Sequence, residues 1–147
     1  MENFQWGGMD AEGEIYMDEN NRRIATNIRL QMTNLADAFA RYGEPSRGLD
    51  VLNRILEATP SRNVPYTRVM LPVVELLSDL AQDDGLSAEA KAKAADLAKT
   101  VGQELFDQLA DDLTYFISLD DQYYVASESS IQTVSYTHLT LPTILLV

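Results

Sequence analysis

Cysteine is absent from this chain of 147 residues, and basic residues are few. Without cysteine, disulfide bonds, thiolate catalysis and cysteine-based zinc sites are excluded. The 11 lysines and arginines stand against 23 aspartates and glutamates, which gives a net charge of −12 at pH 7. Nucleic acids and anionic membrane surfaces both need a basic patch, so the balance argues against either as a partner.

Long apolar runs are also missing, and no stretch of the sequence has the length of a membrane span. The first ten residues, MENFQWGGMD, lack the charged-then-apolar layout of a signal peptide. Hydrophobic residues make up 46% of the chain and charged residues 23%, as in ordinary globular proteins. The length is sufficient for one domain with its own core.

Two antiparallel helices joined by a tight turn are predicted in the first half of the chain. Gly43 suits the left-handed end of the first helix, roughly Asn21 to Tyr42. Pro45 suits the first turn of the second helix, roughly Pro45 to Ala58. Apolar residues recur at helical spacing along the first helix: Ile24, Ile28, Met32, Leu35, Phe39 and Tyr42. They recur likewise along the second: Leu49, Leu52, Ile55 and Leu56.

The spacing of this hairpin resembles the tetratricopeptide pattern, in which small residues lie where the helices touch and large ones fill the gap between repeats. Met32 takes the position of the usual Trp, and Phe39 that of the aromatic residue that follows the Leu-Gly pair. Gly48 stands where Ala is usual, Leu52 stands where Phe is usual, and Pro60 takes the closing Pro position. The other interpretation is a helical hairpin of an unrelated bundle.

The remaining chain is predicted to be helical after an irregular lead. Residues 1–20 form this Gly-rich lead, in which the single Trp6 is expected to pack over the hairpin rather than bind a partner. A third helix is expected over Tyr66 to Gln82, bent at Pro72, with a start near Leu71 as the alternative.

A fourth helix is predicted from the N-cap Ser87 to about Ser118, because its first turns are rich in strong helix formers. A fifth is expected from Asp120 to about Thr133. The fold class is therefore all-α, with four to five helices in tetratricopeptide-like hairpins. The helical-repeat domain is assigned to residues 21–133.

The last fourteen residues, 134–147, are predicted to be a non-native tail. Val134 to Thr143, VSYTHLTLPT, resembles the in-frame translation of a transposase sequencing adapter joined to a read. The stretch carries no charge and contains the only histidine, His138. A genuine C-terminal strand is the alternative, since Thr-rich and apolar stretches suit strands.

No catalytic, cofactor-binding or metal-binding residue is predicted. Four acidic residues early in the chain do not have the spacing of a calcium loop: Asp10, Glu12, Glu14 and Asp18. Asp111 and Asp112 are neighbours on a helix and so point in different directions, which disfavours paired acid–base catalysis. The residues proposed to line a partner groove are Thr33, Asp37 and Arg41, which share a stripe of the first helix.

Several short motifs resemble the C-terminal region of large bacterial multi-pass membrane proteins. These proteins carry an uncharacterised N-terminal membrane domain similar to protein O-mannosyltransferases. The motifs are Trp6-Gly-Gly-Met-Asp10, Ile15-Tyr-Met-Asp-Glu-Asn-Asn21, Asn63-Val-Pro-Tyr66, Leu71-Pro72 and Tyr115-Phe-Ile-Ser-Leu119. The chain departs from that family at Leu76-Leu77 and at residues 83–87, where the family more often has paired tyrosines and a tighter turn.

The resemblance implies that this chain is a fragment, namely a non-catalytic, tetratricopeptide-like scaffold or protein-contact domain. Any glycosyl-transfer site, with a polyprenyl-linked sugar donor, would lie in the membrane domain outside this sequence. The expected partner is a protein, a peptide or that membrane domain. The expected location is a soluble domain of a bacterial membrane protein, on an unspecified side. A free-standing cytoplasmic adaptor that binds a peptide is the alternative.

Overall fold

The computed structural model describes residues 8–10 and 12–118, and these residues form an all-α structure of two helical hairpins. The first hairpin pairs α1 (Glu19–Arg41) with α2 (Pro45–Ala58). The second pairs α3 (Leu71–Gln82) with α4 (Ala88–Ile117). A short 3₁₀ turn, Arg68–Met70, precedes α3, and no strand occurs in the part described. The predicted fifth helix, the tail and Trp6 lie outside the described residues.

The helix boundaries follow from local side-chain and backbone chemistry. Asp18 caps α1 by accepting a hydrogen bond of 2.8 Å from the Asn21 backbone N–H. Ser87 caps α4 by accepting one of 3.2 Å from the Ala90 backbone N–H. Gly43, with φ of 81°, ends α1. Its neighbour Glu44 donates its backbone N–H to the Phe39 carbonyl at 2.9 Å, which is the backbone closure expected where a helix ends at glycine.

The third helix begins at Leu71, as in the alternative prediction, and not at Tyr66. Pro72 lies in the first turn of α3, where its missing N–H leaves no helical hydrogen bond unmade. It therefore starts the helix and does not bend it. Residues 83–87 form the turn to α4, and Leu76 and Leu77 are both buried in the core.

The buried face of α1 differs from the predicted apolar face. The structure buries Ala25, Arg29, Thr33 and Ala36. Ile24, Leu35 and Tyr42 are instead exposed, at 55%, 41% and 86% of their surface. Two of the four buried positions, Ala25 and Ala36, carry small side chains, and α1 and α2 approach closely at Ala36. A Cβ added to Gly48 would lie 2.8 Å from the Ala36 carbonyl oxygen.

One main core joins the two hairpins. It is built from aliphatic residues of α2, α3 and α4 together with Tyr66 and Met70 of the connector, and it includes Leu52, Val74, Leu77, Ala94 and Leu105. A smaller cluster of Ile55 and Ala58 packs against three half-buried residues, Met9, Ile28 and Met32. The connector at residues 59–70 therefore lies between the hairpins, and the site described below is built on it.

None of the helices in residues 8–10 and 12–118 is both long enough and apolar enough to span a membrane.

Candidate functional site

The proposed groove stripe of α1 is divided between the core and the surface. Thr33 is buried, and its hydroxyl donates a hydrogen bond of 2.9 Å to the Arg29 carbonyl one turn earlier. Asp37 and Arg41 lie on the surface, where the guanidinium binds both carboxylate oxygens at 2.9 Å. Partner binding at this stripe stays a prediction, and in this structure the exposed part of it is the Asp37–Arg41 pair.

A buried arginine connects α1 to the segment between the hairpins. Arg29 is only 2% exposed. Its Nε donates to the Thr59 hydroxyl at 3.1 Å, and its Nη2 donates to the backbone carbonyls of Thr59 at 2.5 Å and Val64 at 3.0 Å. Its Nη1 lies 3.5 Å from the Met70 sulfur. Fixed carbonyl dipoles thus take the place of water around this charge.

The aromatic ring of Tyr66 completes the surroundings of this guanidinium. The Arg29 Cζ lies 4.9 Å from the ring centroid, within the range of a cation–π contact. Burial lowers the pKa of Arg29 to about 10, an effect that the nearby Tyr66 opposes. Burial likewise raises the pKa of Tyr66 to about 12; Arg29 acts in the opposite direction, and the charge of Glu104 adds to the rise.

Asn63 attaches the lead segment to the same connector. Its side chain is buried and uses both ends of the amide group. The Oδ1 accepts a hydrogen bond of 3.0 Å from the Ile15 backbone N–H, and the Nδ2 donates one of 2.9 Å to the Met9 carbonyl. Since each bond spans about fifty positions of sequence, Asn63 fixes where the lead segment lies on the domain.

Three motifs of the family resemblance therefore meet at one place. Met9 belongs to the first motif, Ile15 to the second, and Asn63 to Tyr66 form the third. Arg29, which none of these motifs contains, lies at the centre and was not predicted from the sequence. The pattern that could have identified it is the series Ala25, Arg29 and Ala36, in which small residues flank one long cation on a single helical face.

Beside Tyr66 there is an open cleft of about 310 Å³ between the connector and α4. Its lining is polar and mostly acidic: Ser61, Arg62, Tyr66, Glu104, Asp107, Gln108 and Asp111. The three carboxylates lie on one stripe of α4, at positions three and four residues apart. Asp111 thus faces this cleft, whereas its neighbour Asp112 does not line it. No ion pair to these three carboxylates occurs among the described residues.

The surroundings of Arg29 and the cleft beside Tyr66 differ in the chemistry that they allow. The donors of Arg29 are directed at carbonyls, a hydroxyl and an aromatic ring of the connector, so its role is to hold α1 against the connector. The cleft instead presents acceptor groups to solvent and suits a cationic or hydrogen-bond-donating group. Within the described residues, no three metal-ligating side chains lie close enough together to hold an ion.

Comparison with family models, curated proteins and solved structures gave no match to this chain.

Proposed function

We propose that this chain is a non-catalytic helical-repeat domain, a scaffold or protein-contact unit, of a membrane glycosyltransferase-like protein. The observation that supports this proposal best is that the residues of one motif, Asn63 to Tyr66, make contacts within the chain. Asn63, Val64 and Tyr66 direct their polar groups and ring at the lead segment and at Arg29. Because these contacts are made within the chain, the motif residues stabilise the fold of the domain, as expected of a scaffold.

A tetratricopeptide-like arrangement is part of the same proposal. Ala36 and Gly48 meet at the crossing of α1 and α2, which is where that pattern places small residues. Leu52 is fully buried at the position where the pattern usually has Phe. Stacked hairpins of this kind offer extended surfaces to other proteins.

A free-standing adaptor is the second candidate, and the Asp37–Arg41 pair supports it. This pair is exposed on α1, the helix that lines the groove in tetratricopeptide arrays. A peptide with its own charged side chains could exchange partners with it at small cost, because an exposed pair contributes only about 0.2–1 kcal/mol.

Long-read sequencing of the genomic DNA on both sides of this reading frame tests the proposal. We expect the frame to continue upstream into several apolar spans and the genomic sequence to diverge from VSYTHLTLPT downstream. A ribosome-binding site and a stop codon directly flanking the chain as given would contradict the membrane-protein proposal and favour the adaptor. Robust turnover of a glycoside or ester substrate by the purified chain would contradict the non-catalytic role.

A further inference from the structure

We propose that the cleft beside Tyr66 is a docking site for an arginine or lysine side chain of a protein partner. This inference rests on the protein-contact role proposed above and names the chemistry of the partner at one surface. Three carboxylates and one guanidinium line the cleft, from Glu104, Asp107, Asp111 and Arg62. The excess of negative charge selects a cationic group.

The hydroxyl of Tyr66 supplies an independent reason to expect a ligand. Tyr66 is only 5% exposed, and it lines the cleft. Among the described residues its hydroxyl makes no hydrogen bond, although its ring contacts Arg29. Buried hydroxyl groups are normally hydrogen-bonded, and a buried group left without a partner is costly. A guanidinium or ammonium group in the cleft would donate to this oxygen.

The neighbouring carboxylates are placed to bind the same cation. Glu104 lines the same cleft as Tyr66, and its negative charge adds to the rise in the pKa of Tyr66. Asp107 accepts a hydrogen bond of 2.9 Å from the Gln103 side chain, which holds it in position and leaves acceptor capacity for a ligand. Residues 101–118 contain no lysine or arginine, so among the described lining residues Arg62 is the cation that faces this stripe.

The size of the cleft favours a side chain over a whole small molecule. Its volume of about 310 Å³ lies at the lower end of the roughly 300–1,000 Å³ typical of ligand pockets. A peptide segment could thus insert one cation here while the rest of it lies along α4.

Fluorescence anisotropy with a labelled peptide of alternating arginine and serine tests the proposal. The cleft variant combines Glu104→Gln, Asp107→Asn and Asp111→Asn. The control variant combines Glu75→Gln, Asp79→Asn and Asp96→Asn, which are exposed positions that do not line the cleft. Both variants lose the same net charge, so general attraction to an acidic protein affects them equally.

We expect the Kd for the peptide to rise about tenfold in the cleft variant and less than about twofold in the control variant. Tyr66→Phe should raise the Kd about threefold without loss of stability, because it removes only the hydroxyl. Equal weakening in the cleft and control variants would overturn the proposal. So would equal binding of a peptide with glutamate in place of arginine. Displacement by spermidine at a lower concentration than by unlabelled peptide would assign the cleft to a polyamine instead.

The peptide-binding test of the cleft and the genomic test of the proposed function can fail independently of each other. A cleft that fails this test would remove the docking site, while an upstream membrane domain in the genomic sequence would still support the scaffold role. Conversely, a complete free-standing reading frame would contradict the membrane-protein proposal and leave specific peptide binding at the cleft intact. Circular dichroism of each variant at equal concentration verifies that it is folded.

Discussion

The guanidinium of Arg29 lies 4.9 Å from the centroid of the Tyr66 ring, and both residues are buried. Arg29 belongs to the first helix of one hairpin, and Tyr66 to the connector that leads into the next. Since the same guanidinium also binds the carbonyls of Thr59 and Val64, it fixes the course of the connector against α1. The relative placement of the hairpins thus depends in part on the buried hydrogen bonds of Arg29.

The raised pKa of Tyr66 predicts a loss of stability at alkaline pH. Its pKa is about 12 in the folded chain, against an ordinary value of 10.0. Below pH 10 the side chain is neutral in both states, and its contribution is fully present. Between about pH 10 and 12 the unfolded chain releases the proton and the folded chain does not, so stability falls as pH rises.

Tyr66→Phe should lack this loss. We expect wild type to lose at most about 3 kcal/mol relative to the variant across that interval, measured by urea unfolding at several pH values. Arg29 is present in both proteins, so its own titration largely cancels. At pH 7 the variant should be at least as stable as wild type. A difference titration of tyrosinate absorbance with a midpoint near pH 10 would refute the prediction.

Gly48→Ala should destabilise the domain although alanine favours helices. The new methyl group would lie 2.8 Å from the Ala36 carbonyl oxygen, which is backbone and cannot rotate away. Overpacking of this kind typically costs about 1–3 kcal/mol, which outweighs or offsets the gain in helix propensity of about 1 kcal/mol. Asp50→Ala, at an exposed position of α2, is the control and should change stability by less than about 0.5 kcal/mol. A Gly48→Ala protein more stable than wild type would show that α1 and α2 can separate freely.

Asn63→Ala should release the lead segment while the hairpins stay folded. The substitution removes the acceptor for the Ile15 N–H and the donor to the Met9 carbonyl. We expect hydrogen exchange of the Ile15 amide, followed by mass spectrometry, to accelerate at least about tenfold, as the loss of roughly 1.4 kcal/mol of protection implies. Asn53→Ala removes a surface hydrogen bond to Glu57 and should leave Ile15 unaffected. Unchanged exchange in the Asn63 variant would mean that other contacts hold the lead.

Joint replacement of Asp37 and Arg41 by Ala distinguishes the two candidate functions. The pair is exposed at positions four apart, so its loss should cost only about 0.3–0.5 kcal/mol by urea unfolding. The adaptor hypothesis alone predicts that a partner is lost from a pull-down with this variant. The exposed pair Arg54 and Glu57 on α2, replaced in the same way, is the control. Equal recovery of a partner with both variants would count against the adaptor.

The sequence predicted those parts of the fold that local chemistry determines. The bounds of α2 agree with the prediction because Pro45 and Gly43 act within one turn, and the Ser87 cap similarly marks the start of α4. The third helix was extended too far forward, since Pro72 is compatible with the first turn as well as with a bend.

The site could not be predicted in the same way. Two of the partners of Arg29 are backbone carbonyls, 30 and 35 residues away, and a backbone carbonyl carries no identity in the sequence. Arginine is usually found on the surface, so the hydrophobic pattern did not include Arg29 in the buried face of α1. The predicted buried face was therefore wrong, because it included residues that the structure leaves exposed. The three carboxylates of the cleft can be read from the sequence as positions on one face of α4. Their position beside Tyr66 depends on how α4 packs on the connector, which the sequence does not give.

Urea unfolding of Arg29→Lys tests most directly the claim that this arginine joins α1 to the connector. Lysine keeps the charge but cannot reproduce the planar fork that binds Thr59 and Val64 together. We predict a loss of at least about 2 kcal/mol, and a larger loss for Arg29→Ala, because buried carbonyls are then left without donors. Arg23→Lys, at an exposed position of α1, should change little. An Arg29→Lys protein within about 0.5 kcal/mol of wild type would contradict the account.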